Sequence, residues 1–219
     1  MRISELAART GVPLATLKFY LREGLLPHGL AVAATRAEYD ESHVQRVAVI
    51  RALTETAGLP LQRVGEVLRL IDDPGPDLFA TLGRAVGQLP PPIAELPADA
   101  DAETAYPRAR AVLEQLGQVW DPHYAAVAQL ERALEAAEAA GLPMTPERAR
   151  SYGAAIRAIA EFDVGAIPTD SSGAVGYAVL GTALYEPVIA AMRRLAHQDV
   201  AARRLGIEPA HGPETSQAG

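Results

Sequence analysis

Two glycines and a proline divide the first 26 residues into a pair of short helices. Gly11 and Gly24 suit the left-handed conformation in which helices commonly end. Pro13 suits the first helical position, where its missing N–H would have had no partner. The pattern predicts one helix capped by Ser4, a tight turn, and a second helix over residues 13–23. Two short helices joined by a glycine turn form a helix-turn-helix.

The second helix carries an aromatic residue on the face expected to be wet. Wound at 3.6 residues per turn, it has an apolar stripe bordered by Tyr20, whose members are Leu14, Leu17 and Leu21. Phe19 falls on the opposite side, beside Lys18 and Arg22. A mixture of cations and an aromatic ring favours an anionic partner with apolar edges.

The next residues complete a compact unit. The stretch from Pro27 to Tyr39 is compatible with a small β-hairpin or an extended loop. Asp40 is expected to cap a third helix, which ends at Gly58. Leu59-Pro60 begins a fourth helix with apolar residues at helical spacing, and the unit ends near Asp72.

The rest of the chain is dominated by helical patterns between proline-rich breaks. We expect helices over residues 78–89, from Thr104 or Tyr106 to Trp120, 121–140, 145–162 and 173–205, the last being one helix kinked at Pro187 or two. The sequence thus predicts a mainly α protein. Its parts are a winged helix-turn-helix (1–72, four helices plus a small β wing), a short helix and Pro/Asp-rich linker (73–103), an all-helical bundle (104–206) and a flexible tail (207–219).

Charge is distributed unevenly along the chain. The protein has 219 residues and a net charge of −7, yet residues 1–70 hold nine basic side chains against seven acidic ones. The first third is therefore +2 and the remainder −9, a division typical of a DNA-binding head on a body with another task.

Composition argues against several classes of function. The chain lacks cysteine, which removes disulfides, thiolate metal sites and thiol catalysis. We expect no metal, no cofactor and no enzymatic activity, because no serine elbow, phosphate loop or paired carboxylate site stands out. A solvated helix face explains Glu131, Glu135 and Glu138. The longest nearly apolar run, 174–184, is short for a membrane span, and no leader opens the chain, so a cytoplasmic protein without membrane contact is expected.

The first third resembles the winged helix-turn-helix of the MerR family of transcription regulators. The resemblance is carried by Met-Arg-Ile-Ser-Glu-Leu-Ala, Thr-Gly-Val, residues 16–20 (Thr-Leu-Lys-Phe-Tyr), residues 22–27 (Arg-Glu-Gly-Leu-Leu-Pro) and Tyr-Asp-Glu before a helix. It implies that residues 13–23 are the recognition helix, that the wing surrounds Arg36, and that the protein acts as a homodimer on inverted repeats in promoters. RNA polymerase would be an indirect partner, with activation and repression as alternatives.

Carried over to matching positions, the resemblance implies a set of contacts to double-stranded DNA. These are Thr16, Lys18, Phe19, Tyr20 and Arg22 of the recognition helix, and Arg36 and Tyr39 of the wing. Phe19 stands where many relatives carry tyrosine, which favours contact with a thymine methyl or a sugar. Lys18 stands where arginine is usual and suits a phosphate.

The second part departs from typical members, in which one long helix pairs across the dimer; here the helix after the head is short. Residues 181–188 and 192–197 resemble terminal helices of actinobacterial members. Aromatic residues in this part suggest a site for a small apolar or aromatic effector, for which we consider Trp120, Tyr124 and Tyr177. The alternatives are a DNA-bound architectural or partner-docking protein without an effector, and a helical enzyme carrying a regulatory head.

Overall fold

The computed structural model describes residues 1–33, 36–89, 101 and 104–207. The chain is mainly α, as predicted. The helices are α1 (Ile3–Thr10), α2 (Leu14–Arg22), α3 (Glu41–Arg51), α4 (Leu61–Asp72), α5 (Leu78–Val86), α6 (Pro107–Leu116), α7 (Ala125–Ala139), α8 (Pro146–Gly165) and α9 (Ser171–Arg204). The strands are β1 (Leu30–Ala33) and β2 (Arg36–Glu38), and a π-helical turn over Ala52–Thr56 continues α3.

Local stop and start signals in the first third act largely as predicted. Gly11 ends α1 at φ 68°, and Gly24 follows α2 at φ 70°. Asp40 caps α3 by accepting a hydrogen bond from the backbone N–H of Ser42 (3.0 Å). The predicted helix starts were wrong by one or two residues at two places. Ser4 lies inside α1, whose N-cap is Arg2, and Pro13 is the N-cap of α2 rather than its first helical residue.

The wing is a hairpin, one of the two alternatives that the sequence left open. β1 pairs antiparallel with β2, Leu30 lying opposite Glu38. Gly29 precedes β1 at a close approach: a Cβ added there would lie 2.6 Å from the carbonyl oxygen of Glu38. A larger residue at position 29 would therefore push the base of the wing apart.

The later helices differ from prediction mainly at their ends. α6 stops at Leu116, before Gly117 at φ 62°, and does not reach Trp120. α7 begins at Ala125 instead of at 121. A single helix, α9, passes through Pro187. The predicted linker residues 90–100 and 102–103 and most of the predicted tail, residues 208–219, lie outside the described residues.

One hydrophobic core runs from the head into the second part of the chain. Its centre is made by fully buried side chains of α1 to α4, among them Leu6, Leu17, Val47, Ile50, Val64 and Val67. The same cluster includes Ala85 of α5 and Val175, Val179 and Ala183 of α9. The first half of α9 therefore packs on the head and supports it. The domain boundaries proposed from sequence stay a prediction.

Within the described residues, α9 is by length and composition long and apolar enough to cross a membrane. The nearly apolar run 174–184 alone is too short to predict such a segment. Packing accounts for the apolar first half, since Val175 and Val179 are fully buried in the core beside α4 and α5.

Candidate nucleic-acid interface

The surface of α2 presents two cations. Lys18 is exposed and has no ion-pair or hydrogen-bond partner among the described residues. Arg22 is also exposed, pairs with Glu23 (3.0 Å), and holds its guanidinium carbon 5.2 Å from the centre of the Phe19 ring. Thr16 is half-buried, one turn before Tyr20. This face offers positive charge next to an aromatic ring, as the sequence predicted.

The side chain of Phe19 is less exposed to solvent than predicted. Its side chain is half-buried and packs against the edge of the head's core, with its ring 6.2 Å from that of Tyr20. The prediction that Phe19 lies fully away from the core was therefore wrong. Leu14, which the helical wheel placed in the buried stripe, is 39% exposed. The buried face of α2 is thus rotated towards Leu17 and Tyr20.

Tyr20 belongs to the core instead of the predicted DNA-contacting surface. It is 8% exposed, and burial, followed by the carboxylate of Glu55, raises the pKa of its hydroxyl while Arg51 opposes the increase. Its ring therefore lies on the α3 side of the recognition helix. We correct its predicted role to that of a residue that fixes the orientation of α2.

Tyr39 is likewise a packing residue at the base of the wing. It is 7% exposed, its ring lies edge-on to that of His43 (5.0 Å between centres), and burial raises the pKa of its hydroxyl. Its backbone N–H donates to the carbonyl of Met1 (2.8 Å), and the Met1 ammonium donates to the carbonyl of Tyr39 (2.6 Å). These bonds join the wing to the start of α1. The structure therefore gives Tyr39 a packing role, and the DNA contact that the resemblance implies for it stays a prediction.

The wing residue Arg36 begins β2, opposite Ala33. Its side chain lies outside what the structure describes, so its predicted DNA contact stays a prediction. Residues 34 and 35 also lie outside the described residues.

Buried or half-buried arginines hold the recognition helix in place, and sequence reasoning missed their role. Arg46 of α3 donates from Nε to the carbonyl of Leu25 just after α2 (3.0 Å). Arg51 donates to the carbonyl of Thr10 at the end of α1 (3.2 Å) and pairs with Glu55 (2.8 Å). Arg51 thus binds the carbonyl of the last residue of α1, which has no partner within that helix, and Arg46 binds a carbonyl in the segment that follows α2. In the sequence, both arginines are recognisable only as positive charges of the first third of the chain.

Comparison with known proteins agrees with this geometry. Residues 1–71 match the family model described as "MerR HTH family regulatory protein". A crystal structure of a proposed transcriptional regulator from Streptomyces coelicolor A3(2) is 34% identical to this chain, with a TM-score of 0.69. The alignment covers 95% of this chain and all of that one. The chain belongs to the MerR family.

Family membership makes the protein a DNA-binding transcription regulator, and the Streptomyces relative shares its helical second part as well as its head. No curated protein matches the chain. In this MerR-family protein, α2 carries the exposed Lys18 and Arg22, and α5 is a helix of nine residues.

The three residues considered for an effector do not meet in one site. Tyr177 lines an open groove of about 450 Å³ between the end of α8 and the middle of α9. Trp120 and Tyr124 are not among the residues that line this groove. Trp120 lies under the guanidinium of Arg110 (5.6 Å), and its buried indole Nε1 has no hydrogen-bond partner among the described residues.

Tyr124 lies beside α5, in van der Waals reach of Gly83. Burial, together with the nearby Glu186 carboxylate, raises the pKa of its hydroxyl. Trp120 and Tyr124 thus contribute to packing between helices of the second part.

Glu131 is not part of a solvated face, contrary to the sequence analysis. It is 8% exposed and accepts hydrogen bonds from the backbone N–H of Ala109 (2.8 Å) and from Arg108 (3.0 Å). Arg108 also donates to the exposed Glu138 (2.7 Å). Glu131 therefore caps the first turn of α6 from a neighbouring helix.

Proposed function

We propose that this MerR-family protein acts as a homodimer that reads an inverted-repeat operator within promoter DNA and thereby affects RNA polymerase indirectly. The observation that carries the proposal is the exposed face of α2. On it Lys18, without a partner among the described residues, and Arg22, paired with Glu23, flank a half-buried Phe19. Two such faces related by a two-fold axis would enter successive major grooves, with half-site centres about 34–36 Å apart.

The roles of the residues follow from their chemistry and exposure. Lys18, Arg22 and Arg36 would neutralise phosphates and release counterions, which supplies salt-dependent affinity. Thr16 and Phe19 would contact base edges, Phe19 through a thymine methyl or a sugar. Tyr20 and Tyr39 would act from the core by holding α2 and the wing in register.

We do not propose a response to a small effector. The aromatic residues considered for it lie in different places, and the groove beside Tyr177 is open to solvent along α9. We also do not propose an enzyme with a regulatory head, since the family match and the Streptomyces relative both point to a transcription regulator.

The proposal is tested by selecting bound fragments from random genomic DNA with the purified full chain at near-physiological salt. Recovery of an inverted repeat, with half-sites one helical turn or a multiple apart, is the expected result. Binding that is salt-sensitive but unselective would contradict the proposal of a sequence reader. The position of the repeat relative to promoter elements distinguishes spacer-distorting activation from blocking.

A matched control uses the Arg132→Ala variant beside Lys18→Ala. Arg132 is an exposed cation of α7, outside both α2 and the second half of α9. The selection should be unchanged by Arg132→Ala and should recover far fewer fragments with Lys18→Ala. Equal losses would show that net charge, and not the face of α2, controls binding.

A further inference from the structure

The second halves of α8 and α9 expose an unusual amount of apolar surface. Phe162 is 78% exposed, and Met192 and Leu195 are each 63% exposed. Other large apolar residues that are partly or largely exposed on the same two helices are Tyr152, Ile156, Val164, Tyr177, Tyr185, Val188 and Val200. Together these ten side chains expose on the order of 1,000 Å². The largest apolar patch of a typical monomer covers roughly 300–600 Å².

These helices have little support from the rest of the chain. Ala149, near the start of α8, is that helix's buried residue among those described. The buried residues of α9 are confined to its first half, ending at Ala183. A helix without tertiary packing is marginal in water, because nucleation is costly and most helical stability comes from burying one face. The exposed halves therefore need a partner.

The sequence of α9 defines the kind of partner. Tyr185, Val188, Met192 and Leu195 recur at spacings of three, four and three, which is the apolar seam of a helix that pairs with another helix. Towards the head, this seam continues into Gly181, which lines the groove of about 450 Å³ together with Phe162 of α8. At the far end, the guanidinium of Arg193 lies over the ring of Tyr152 (5.7 Å). α8 and α9 thus form two sides of an open apolar trough.

We propose that this trough is the dimer interface, in which α8 and the second half of α9 pack against the same helices of a second copy as a four-helix bundle. The inference deepens the homodimer of the proposed function by naming its surface. The exposed apolar area is close to the roughly 800 Å² per partner that a standard interface buries. A two-fold axis makes the same patch complementary to itself and leaves no edge uncovered.

Two other ways of covering the trough fit less well. A membrane would have to bury Glu186, Arg193, Arg194 and Asp199, which lie along the exposed half of α9, at a high desolvation cost. The apolar first half of the same helix is already fixed in the head's core by Val175 and Val179. A dimer built on α5 would have a short helix whose Ala85 is already buried in the core that α9 shares.

The test is a matched pair of substitutions read by sedimentation equilibrium of the full chain without DNA. Phe162 in α8 and Phe79 in α5 are the same residue type at nearly equal exposure, 78% and 80%. We expect the wild type and Phe79→Glu to be dimers, and Phe162→Glu to dissociate with a Kd raised at least about 100-fold, as expected for a charge at a buried aromatic anchor. A monomeric wild type, or dissociation caused by Phe79→Glu alone, would overturn the proposal.

A second measurement does not depend on the stability of the glutamate variant. The chain has no cysteine, so single cysteines introduced as Leu195→Cys or Phe79→Cys are the sole sites for a short bismaleimide. Covalent dimers are expected from the variant at 195 and not from the variant at 79, and the reverse pattern would overturn the proposal.

Flotation with phosphatidylglycerol vesicles checks the membrane alternative. Vesicle binding by a monomeric wild type would assign the trough to lipid and would also overturn the proposal. None of these assays uses DNA, so their failure leaves the test of operator binding independent.

Discussion

The guanidinium of Arg46 donates to both carboxylate oxygens of Asp72, which joins the middle of α3 to the last residue of α4. The same side chain donates to the carbonyl of Leu25, directly after the recognition helix. Because α4 also packs on α9, one arginine links the orientation of α2 to the helix that carries the proposed dimer interface. The Arg46 side chain is 13% exposed, whereas that of Asp72 is 56% exposed, so the bond to the Leu25 carbonyl is the more shielded of these contacts.

Substitution of Arg46 should therefore destabilise the head. We expect Arg46→Ala to lower the free energy of unfolding by about 2 kcal/mol, mainly because it leaves the carbonyl of the buried Leu25 without its donor. Urea denaturation followed by circular dichroism measures the change. Arg9→Ala removes an ion pair with Glu41 whose partners are both at least half exposed and should change stability by less than about 1 kcal/mol. Equal effects of the two variants would show that Arg46 has no special anchoring role.

The parts of the fold that could be predicted are those that depend on near neighbours. Gly11 and Gly24 end their helices because the chain must turn there in the left-handed region, a property of the residue itself. Asp40 caps α3 through an N–H two residues away. Features of this kind depend on residues that are close in sequence, so a short stretch of the chain is enough to predict them.

What could not be predicted depends on elements that are distant in sequence. A helical wheel places Phe19 and Tyr20 100° apart, but which ring is buried depends on how α2 lies against the rest of the head's core. Tyr20 faces Arg51 and Glu55, and that neighbourhood is not visible from residues 13–23. The Arg46–Asp72 pair likewise joins residues 26 positions apart. Contacts of this kind explain why Tyr20 belongs to the core and not to the predicted DNA-contacting surface.

Glu131 and Glu138 offer a matched test of a buried and an exposed ion pair to the same arginine. The Glu131 side chain is 10% exposed and that of Glu138 is 60% exposed. We expect Glu131→Ala to lower the free energy of unfolding by about 3 kcal/mol, because it orphans the N–H of Ala109 and leaves Arg108 partly buried with one partner fewer. Glu138→Ala should cost under about 1 kcal/mol. Chemical denaturation of both variants checks the difference, and equal losses would contradict the burial of Glu131.

Asp40 should make the head sensitive to acid. Hydrogen bonds, first from the Ser42 side chain and then from His43, hold the pKa of the Asp40 carboxyl at about 2, below its ordinary value of 3.8. Because the folded-state pKa is depressed, the stabilisation is complete above the unfolded-state pKa and is lost as the pH falls from about 4 to 2. The urea midpoint measured from pH 7 to pH 2 should fall less steeply for Asp40→Asn, which keeps a capping side chain without the titration. If the urea midpoint fell equally steeply in both proteins at low pH, carboxylates other than Asp40 would account for the loss of stability.

Lys18 and Phe19 should contribute differently to DNA binding. Lys18→Ala is expected to weaken operator and random DNA alike and to lower the slope of log K against log salt by about one, since one phosphate contact is lost. Phe19→Ala should mainly narrow the difference between the two duplexes, because apolar contact with a base edge depends on sequence. Fluorescence titrations of both duplexes at several salt concentrations measure these effects, and the reverse pattern would refute the assignment.

Lys18 is also the sole lysine in the chain, so acetylation of its side chain by acetic anhydride, with and without operator DNA, reports directly on its burial. Protection by operator DNA is expected, and an unchanged acetylation rate would place Lys18 outside the interface.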